Sequence, residues 1–420
     1  MNSQREELRR QIRESVMNRL NRQEEMEDEA VLSQIQDAAL PFPAFRALLP
    51  QEKAALCEEV FNSIRGLDIL DQLLKREDIS EIMINGYDHI YVERDGKIER
   101  WPGRFESEER YHDIIQQMVS ACNRMVNGAS PIVDARLQDG SRLHVVLPPV
   151  ALDGAAVTIR HFKKAAFTME DLVRIQSISE ECADFLQKLV KAKYNIFISG
   201  GTGAGKTSFL NALSAYVPED ERVVSIEDSA ELRLQHIPNL VRLETRMSNE
   251  KDCVPVSMRS LLKASLRMRP DRIIVGEVRG EECVDMIQAM NTGQEGSLST
   301  GHANSGRDML ARLETMFLMG LEIPLEAIRR QLGCIDIIVH LGRLRDKSRR
   351  VLEVWEILGY RDGEVQMHLL YQFQEEGERN GKICGSLQKA GTLQRTDKLA
   401  MAGFGVSSGP FDDTACQLGD

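Results

Sequence analysis

The stretch "ISGGTGAGKTSFLNAL", residues 198–213, limits the fold of this chain more than any other. From Gly200 to Thr207 it spells GxxxxGK[ST], with an apolar run before it ("NIFIS") and a helical pattern after it. Gly200, Gly201, Gly203 and Gly205 let the backbone turn its N–H groups inward around an anion, and the start of the next helix adds its positive end. Thr202, Ala204 and Ser208 complete the cradle. A lysine at 206 suits the β- and γ-phosphates of a nucleotide, and the Thr207 hydroxyl suits Mg²⁺. A chance match in a glycine-rich turn would lack the strand and helix on either side. ATP and Mg²⁺ are therefore the expected cofactors.

The surroundings fit an α/β fold. From Tyr194 onward, "YNIFISG", "RVVSIED", "RIIVGEV", "GSLSTGHA" and "CIDIIVHL" alternate with helical stretches. Such runs suit strands buried on both faces of a mostly parallel sheet wound in right-handed βαβ units. In such a sheet ligands bind at the carboxyl ends of the strands. Glu227, Asp228 and Glu231 lie at and just beyond one strand end, and Glu277 lies at another. Two acidic positions beside one phosphate loop can orient a water against the γ-phosphate and hold magnesium through its hydration shell. Taken singly, Glu227 or Asp228 would serve as well to cap the next segment. Gly276 poses a question, because many phosphate-loop NTPases carry a magnesium-side aspartate there.

The first half has other periods. Leu8, Ile12, Val16 and Leu20 form one narrow apolar stripe on a charged helix over about residues 1–36, which reads as a solvated or partner-docking arm. "PFP" at 41–43 ends it, and a second helical stretch runs to about Leu74. "EIMINGYDHIYVERDGKIERW" then alternates with period two around an Asp95-Gly96 turn. The boundaries expected are a helical extension (1–74), a small α+β domain (75–162), a linker (163–177), the main α/β domain (178–373) and a loosely packed polar tail (374–420). Ser177 with Glu180 reads as a capping box opening the main domain.

Bulk properties exclude several classes. The net charge of -12 and 5% aromatic content argue against a large nucleic-acid footprint. No apolar run reaches the roughly 18 residues of a membrane span, and the charged N-terminus lacks an export signal core. The eight cysteines are scattered without CxxC pairs, as in a reduced cytoplasmic protein.

"GGTGAGKT", "SIEDSAEL", "RPDRIIVGEVRG" and "TGQEGSLSTGHAN", in this order, resemble the Walker A, Asp box, Walker B and His box of the type II/type IV secretion ATPases. "EIMINGYDHIYVERDGK", "LQDGSRLHVVLPP", "RLETMFLMGLEIPLEAIRRQL" and "RLRDKSRRVLEVWEI" resemble their CpaF-like branch, which powers Tad pilus assembly. The resemblance implies a RecA-like P-loop ATPase domain behind the small α+β domain. It makes Glu277, Glu227, Lys206 and His302 the catalytic candidates. Glu277 would polarise the lytic water, Glu227 and Asp228 would support magnesium, and His302 would sense the γ-phosphate. Gln294 stands where the His box often carries a histidine. Arg142 and Arg160 match arginines that reach the phosphates from the small domain, and Arg279 is a candidate contact to the site or a neighbouring subunit. A homo-hexamer at the inner face of the cell membrane, working on a polytopic platform protein, is implied as well. A conjugation-type motor in a DNA-exporting system, a nucleotide-gated scaffold and a small-molecule kinase are the competing readings.

Overall fold

The computed structural model describes residues 2–20, 28–94, 96–161, 167–234, 236–246 and 254–404. The chain divides near residue 164 into two compact units.

The first unit begins with α1 (Asn2–Leu20), α2 (Asp28–Ala39), α3 (Pro43–Arg46), α4 (Pro50–Arg65) and α5 (Ile69–Leu74). Here the sequence reading needs correction. Leu8, Ile12 and Val16 are buried, packed in a cluster with Val31 and Ile35 of α2 and with Leu56 and Val60 of α4. A narrow stripe suffices because two partner helices share the burial, each supplying its own apolar face. Pro43 does not simply stop a helix but opens α3 from its first turn, where a missing N–H costs nothing.

The rest of the first unit is β1 (Glu81–Asn85), β2 (Ile90–Arg94), β3 (Lys97–Arg100), α6 (Glu108–Ala121), β4 (Ile132–Arg136), β5 (Arg142–Val146) and β6 (Ala156–Arg160). The strands form one antiparallel sheet in the order β3-β2-β1-β6-β5-β4. Arg94 pairs with Lys97, as a two-residue hairpin requires, although Asp95 itself lies outside the described residues. Ile82 and Ile84 bury one face of the sheet against Tyr111, Ile114 and Ile115 of α6.

The second unit starts inside the expected linker. Met169–Arg174 forms α7, opened by a capping box between Thr168 and Asp171, and its Met169 and Leu172 join the main core. The next helix, α8 (Glu180–Lys191), is capped by Ser179, two residues later than expected. Ser177 instead donates its hydroxyl to the Arg349 carbonyl at 2.6 Å. There follow β7 (Ile196–Gly200), α9 (Lys206–Ser214), β8 (Val223–Glu227), β9 (Leu240–Glu244), α10 (Met258–Ser265), β10 (Arg272–Val275), α11 (Glu282–Asn291), β11 (Leu298–Gly301), α12 (Gly306–Gly320), α13 (Leu325–Leu332), β12 (Ile337–Arg343), β13 (Arg349–Arg361), β14 (Glu364–Arg379), β15 (Lys382–Lys389) and α14 (Asp397–Met401).

One nine-stranded sheet runs β15-β14-β13-β12-β7-β11-β10-β8-β9. From β12 to β9 all neighbours are parallel, and β13 to β15 continue it antiparallel. Apolar clusters cover both faces of the parallel part, which is why β7 and β8 read as continuous apolar runs.

The expected polar tail is the second correction. Residues 374–389 extend β14 and form β15, whose ladder uses backbone groups and needs few apolar side chains. Beyond it, buried Glu356 accepts the N–H groups of Gln394 and Arg395, Tyr194 donates to the Arg395 carbonyl, and Lys398 pairs with Asp336 at 2.8 Å. Residues 405–420 of that expected tail lie outside the described residues. The cysteines among the described residues are unpaired, and no described helix is long and apolar enough to cross a membrane.

Candidate functional site

The register of the parallel sheet gathers the candidate residues along one edge. Gly301 pairs with Ser199, Val275 with Ile226 and Ser299, and Leu341 with Gly200. The strands therefore all end on this edge, with β8 and β10 stopping one or two residues short of β11 and β7, so Glu227 and Gly276 lie just below Gly200 and His302.

The glycine-rich loop leaves β7 at Gly200 and enters α9 at Lys206. Gly201, Thr202 and Gly203 are exposed along its rim, Ala204 is buried, and Thr207 and Ser208 are half-buried in the first turn of α9. Gly205 caps α9 at φ 95°, a left-handed conformation that a side chain would strain. Lys206 is only 7% exposed. Its ammonium donates to the Gly201 carbonyl at 3.2 Å and lies 3.3 and 3.4 Å from the two ring nitrogens of His302.

Glu227 answers the question posed by Gly276. A Cβ built on Gly276 would stand 3.0 Å from Glu227 Cγ and 3.6 Å from its Oε2. The space into which an aspartate at 276 would project is already filled by a carboxylate from the neighbouring strand. Glu227 Oε2 accepts the N–H groups of Glu231 and Leu232 at 2.7 and 2.9 Å. Its Oε1 is buried with no partner among the described residues, and an orphaned buried oxygen calls for a ligand such as a magnesium-bound water. Burial raises its pKa to about 6, against the two backbone N–H groups and Arg242. Among the described residues no three His, Cys, Asp or Glu side chains converge as a metal cage. Magnesium beside a nucleotide needs none, because phosphates and water complete its shell. The donor set fits it.

Glu277 sits just beyond β10 in a loop tied on both sides. Gly276 N–H donates to the Ile226 carbonyl at 2.8 Å, Val278 N–H to the Thr300 carbonyl at 2.9 Å, and Thr300 Oγ1 to the Gly276 carbonyl at 2.8 Å. Glu277 Oε1 lies 2.8 Å from His302 Nε2, without the alignment of a hydrogen bond, and Oε2 accepts from Arg279 at 2.9 Å. Burial pushes its pKa up, but Arg279, His302 and Lys206 outweigh that and hold it below the usual value. Burial holds the pKa of His302 down, helped by Lys206 and opposed by Glu277, so the ring is neutral near pH 7. Arg279 spans the acids, with its other branch 3.4 Å from Asp228 Oδ2.

Gln294 falls outside this group. It precedes β11, at the end of that strand opposite the loop, where Thr292 and Ser297 bond to it. Arg142 and Arg160 belong to the first unit and stand directly opposite each other on β5 and β6, with Glu81 of β1 facing Arg160.

Two neighbours of the loop escaped the sequence reading. Arg349 Nε donates to the Gly203 carbonyl at 2.8 Å, and Arg343 Nη1 is 3.9 Å from where a Cβ on Gly203 would stand. "RLRDKSRR" entered the sequence reading only through its resemblance, and nothing in it revealed that β12 lies beside β7.

The Glu227 pKa carries a stability prediction. Below pH 4.5 the carboxyl is protonated folded and unfolded alike, so burial costs nothing. Above about 6 it is ionised in both states, and the folded state bears the cost, about 2 kcal/mol. Without nucleotide or Mg²⁺, Glu227→Gln is therefore expected to raise the unfolding free energy at pH 8 by up to that amount and to leave it unchanged at pH 4. Denaturant titrations at the two pH values check this, and equal effects at both would refute it.

Comparisons with known proteins place the chain in a family and a fold class. A family model for type II/IV secretion system proteins matches residues 64–338. The chain is 36% identical over 310 residues to a putative conjugal transfer protein of Mycobacterium tuberculosis, spanning 72% of this chain and 87% of that one. It is 32% identical over 324 residues to the type IV secretion system protein PtlH of Bordetella pertussis, spanning 71% and 94%. Its fold is similar to that of the ATPase DotB of Yersinia pseudotuberculosis, with a TM-score of 0.51 at 16% identity, over 71% of this chain and 79% of that one. With a phosphate loop and strand-end acids on one edge of a RecA-like sheet, the chain belongs to the type II/IV secretion system protein family.

Proposed function

We propose that the chain is an ATP-hydrolysing motor of a pilus-assembly or protein-secretion machine, with Glu277 as the group that orients the attacking water. The observation that carries this reading is the convergence of Lys206, Glu277 and His302 at the mouth of the phosphate loop. Lys206 and the loop N–H groups hold the β- and γ-phosphates. Thr207, with Glu227 and Asp228 acting through water, would hold Mg²⁺, which would supply positive charge against those phosphates. Glu277 is ionised at neutral pH and accepts a hydrogen bond from the water. A carboxylate held this low is a weak base, so its contribution is alignment and polarisation more than full proton removal. Neutral His302 can donate to a γ-phosphate oxygen and lose that contact once the phosphate leaves.

Arg142 and Arg160 reach the phosphates in the closed state, and Arg279 moves from its acids toward the developing charge. Closure and release repeat around a head-to-tail homo-hexamer, since closed rings avoid open-ended assembly. The ring acts at the cytoplasmic face of the membrane on a polytopic platform protein, in a Tad-type pilus machine. The names of the Mycobacterium and Bordetella relatives favour a second reading, in which the apparatus is a conjugation-type or type IV secretion channel. Phosphate release by the purified chain, with and without single-stranded DNA, separates these. Turnover indifferent to DNA supports the first. Stimulation that collapses between about 50 and 200 mM salt supports the second. Absence of any turnover leaves a nucleotide-gated scaffold.

A further inference from the structure

The outer wall of the phosphate loop is braced by the β12–β13 hairpin. Arg343 and Arg349 are register partners at its turn end. Arg349 Nε holds the Gly203 carbonyl at 2.8 Å, its Cδ lies 3.4 Å from where a Cβ on Gly205 would stand, and Arg343 flanks Gly203. The hairpin is itself anchored. Ser177 binds the backbone of Arg349 and Val351 at 2.6 and 2.8 Å. Asp346 in the turn accepts from Ser348 Oγ at 2.6 Å and from the Ile383 N–H of β15 at 2.9 Å, and Arg345 pairs with Glu375 of β14. Arg349 thus meets the loop from a frame built by four strands, β12 to β15.

A phosphate cradle works when its N–H groups face inward and its carbonyls face out. Across a trans peptide the carbonyl and the following N–H point in opposite directions. A donor that holds the Gly203 oxygen outward therefore turns the Ala204 N–H inward. At present that N–H makes a long 3.3 Å bond to the Gly201 carbonyl, at the weak end of the range and exchangeable for a phosphate oxygen. The guanidinium also adds a charge that no pH in the working range removes, beside a site that must gather a polyanion.

We infer that Arg349, flanked by Arg343, is a positioning residue for the nucleotide. It holds the phosphate loop in its anion-receiving shape before any ligand arrives, and so sets affinity for the di- and triphosphate alike. This rests on the proposed ATPase reading. Preorganisation lowers the cost of binding and leaves the chemical step alone, which separates it from a role like that of Glu277.

The test is calorimetric binding of Mg·ADP and Mg·ATP, with steady-state hydrolysis and thermal unfolding, for the full chain, Arg349→Ala and Arg349→Lys. Arg349→Ala is expected to raise both Kd values and KM about tenfold, as loss of a charge-assisted hydrogen bond does, with kcat kept within about twofold. Arg349→Lys keeps a donor and a charge and is expected to recover affinity to within about threefold of the natural chain. The nucleotide-free unfolding temperature should be unchanged. Unaltered Kd values overturn the inference, as does a fall in kcat at unaltered Kd. A loss of thermal stability that tracks the loss of affinity in both variants also overturns it, because the role would then be structural. If the natural chain binds neither nucleotide, the functional reading itself fails and takes this one with it.

Discussion

Glu277→Gln protein is expected to bind ATP and hold it unhydrolysed, with kcat reduced by about two to four orders of magnitude. The substitution keeps the shape of the side chain and an oxygen that can accept from Arg279, so the loop and Lys206 still receive the triphosphate. What disappears is the negative charge that draws on the water's protons. Removing it also frees Arg279 from one of its two acids, and ATP affinity should hold or improve. Single-turnover hydrolysis set beside equilibrium binding gives the measurement. A variant that turns over ATP at the natural rate would show that the water is activated from elsewhere.

Arg272→Met should cost the second unit about 3–5 kcal/mol, the penalty for stranding a buried carboxylate. Arg272 has no exposed surface, and its fork meets Glu221 at 2.6 and 2.9 Å while also donating to the Val190 and Gly296 carbonyls at 3.0 Å each. Without it Glu221 keeps, among the described residues, only Lys193, at 3.7 Å. The double variant Arg272→Met/Glu221→Leu should regain most of the loss, because a buried ion pair is often matched by apolar side chains of similar volume. Denaturant titration of the nucleotide-free chain measures both. A loss under about 1 kcal/mol for the single variant would mean that water reaches Glu221 and the pair is not the buried clamp its contacts describe.

The loop, the parallel strands and both acidic positions were legible because each leaves a local trace. A phosphate cradle needs glycines at set intervals, and a doubly covered strand needs an unbroken apolar run. The same logic explains what was misread. β14 and β15 hold the sheet edge by backbone ladders, so "QEEGERNGKICGSLQK" looks like a solvated tail. The stripe of Leu8, Ile12 and Val16 looks thin because its burial depends on α2 and α4, which the stripe does not encode.

Local chemistry alone thus specified that this chain cradles phosphates on a mostly parallel sheet and ends two of its strands in acids. Only tertiary structure decided that Glu227 fills the room beside Gly276, that Glu277 is shared between Arg279 and His302, and that Arg349 grips the back of the loop from more than a hundred residues away. The reason is strand order. Because β11 and β12 flank β7, and β8 flanks β10, residues distant along the chain become register neighbours, and such proximity leaves no mark on the periodicity of either segment.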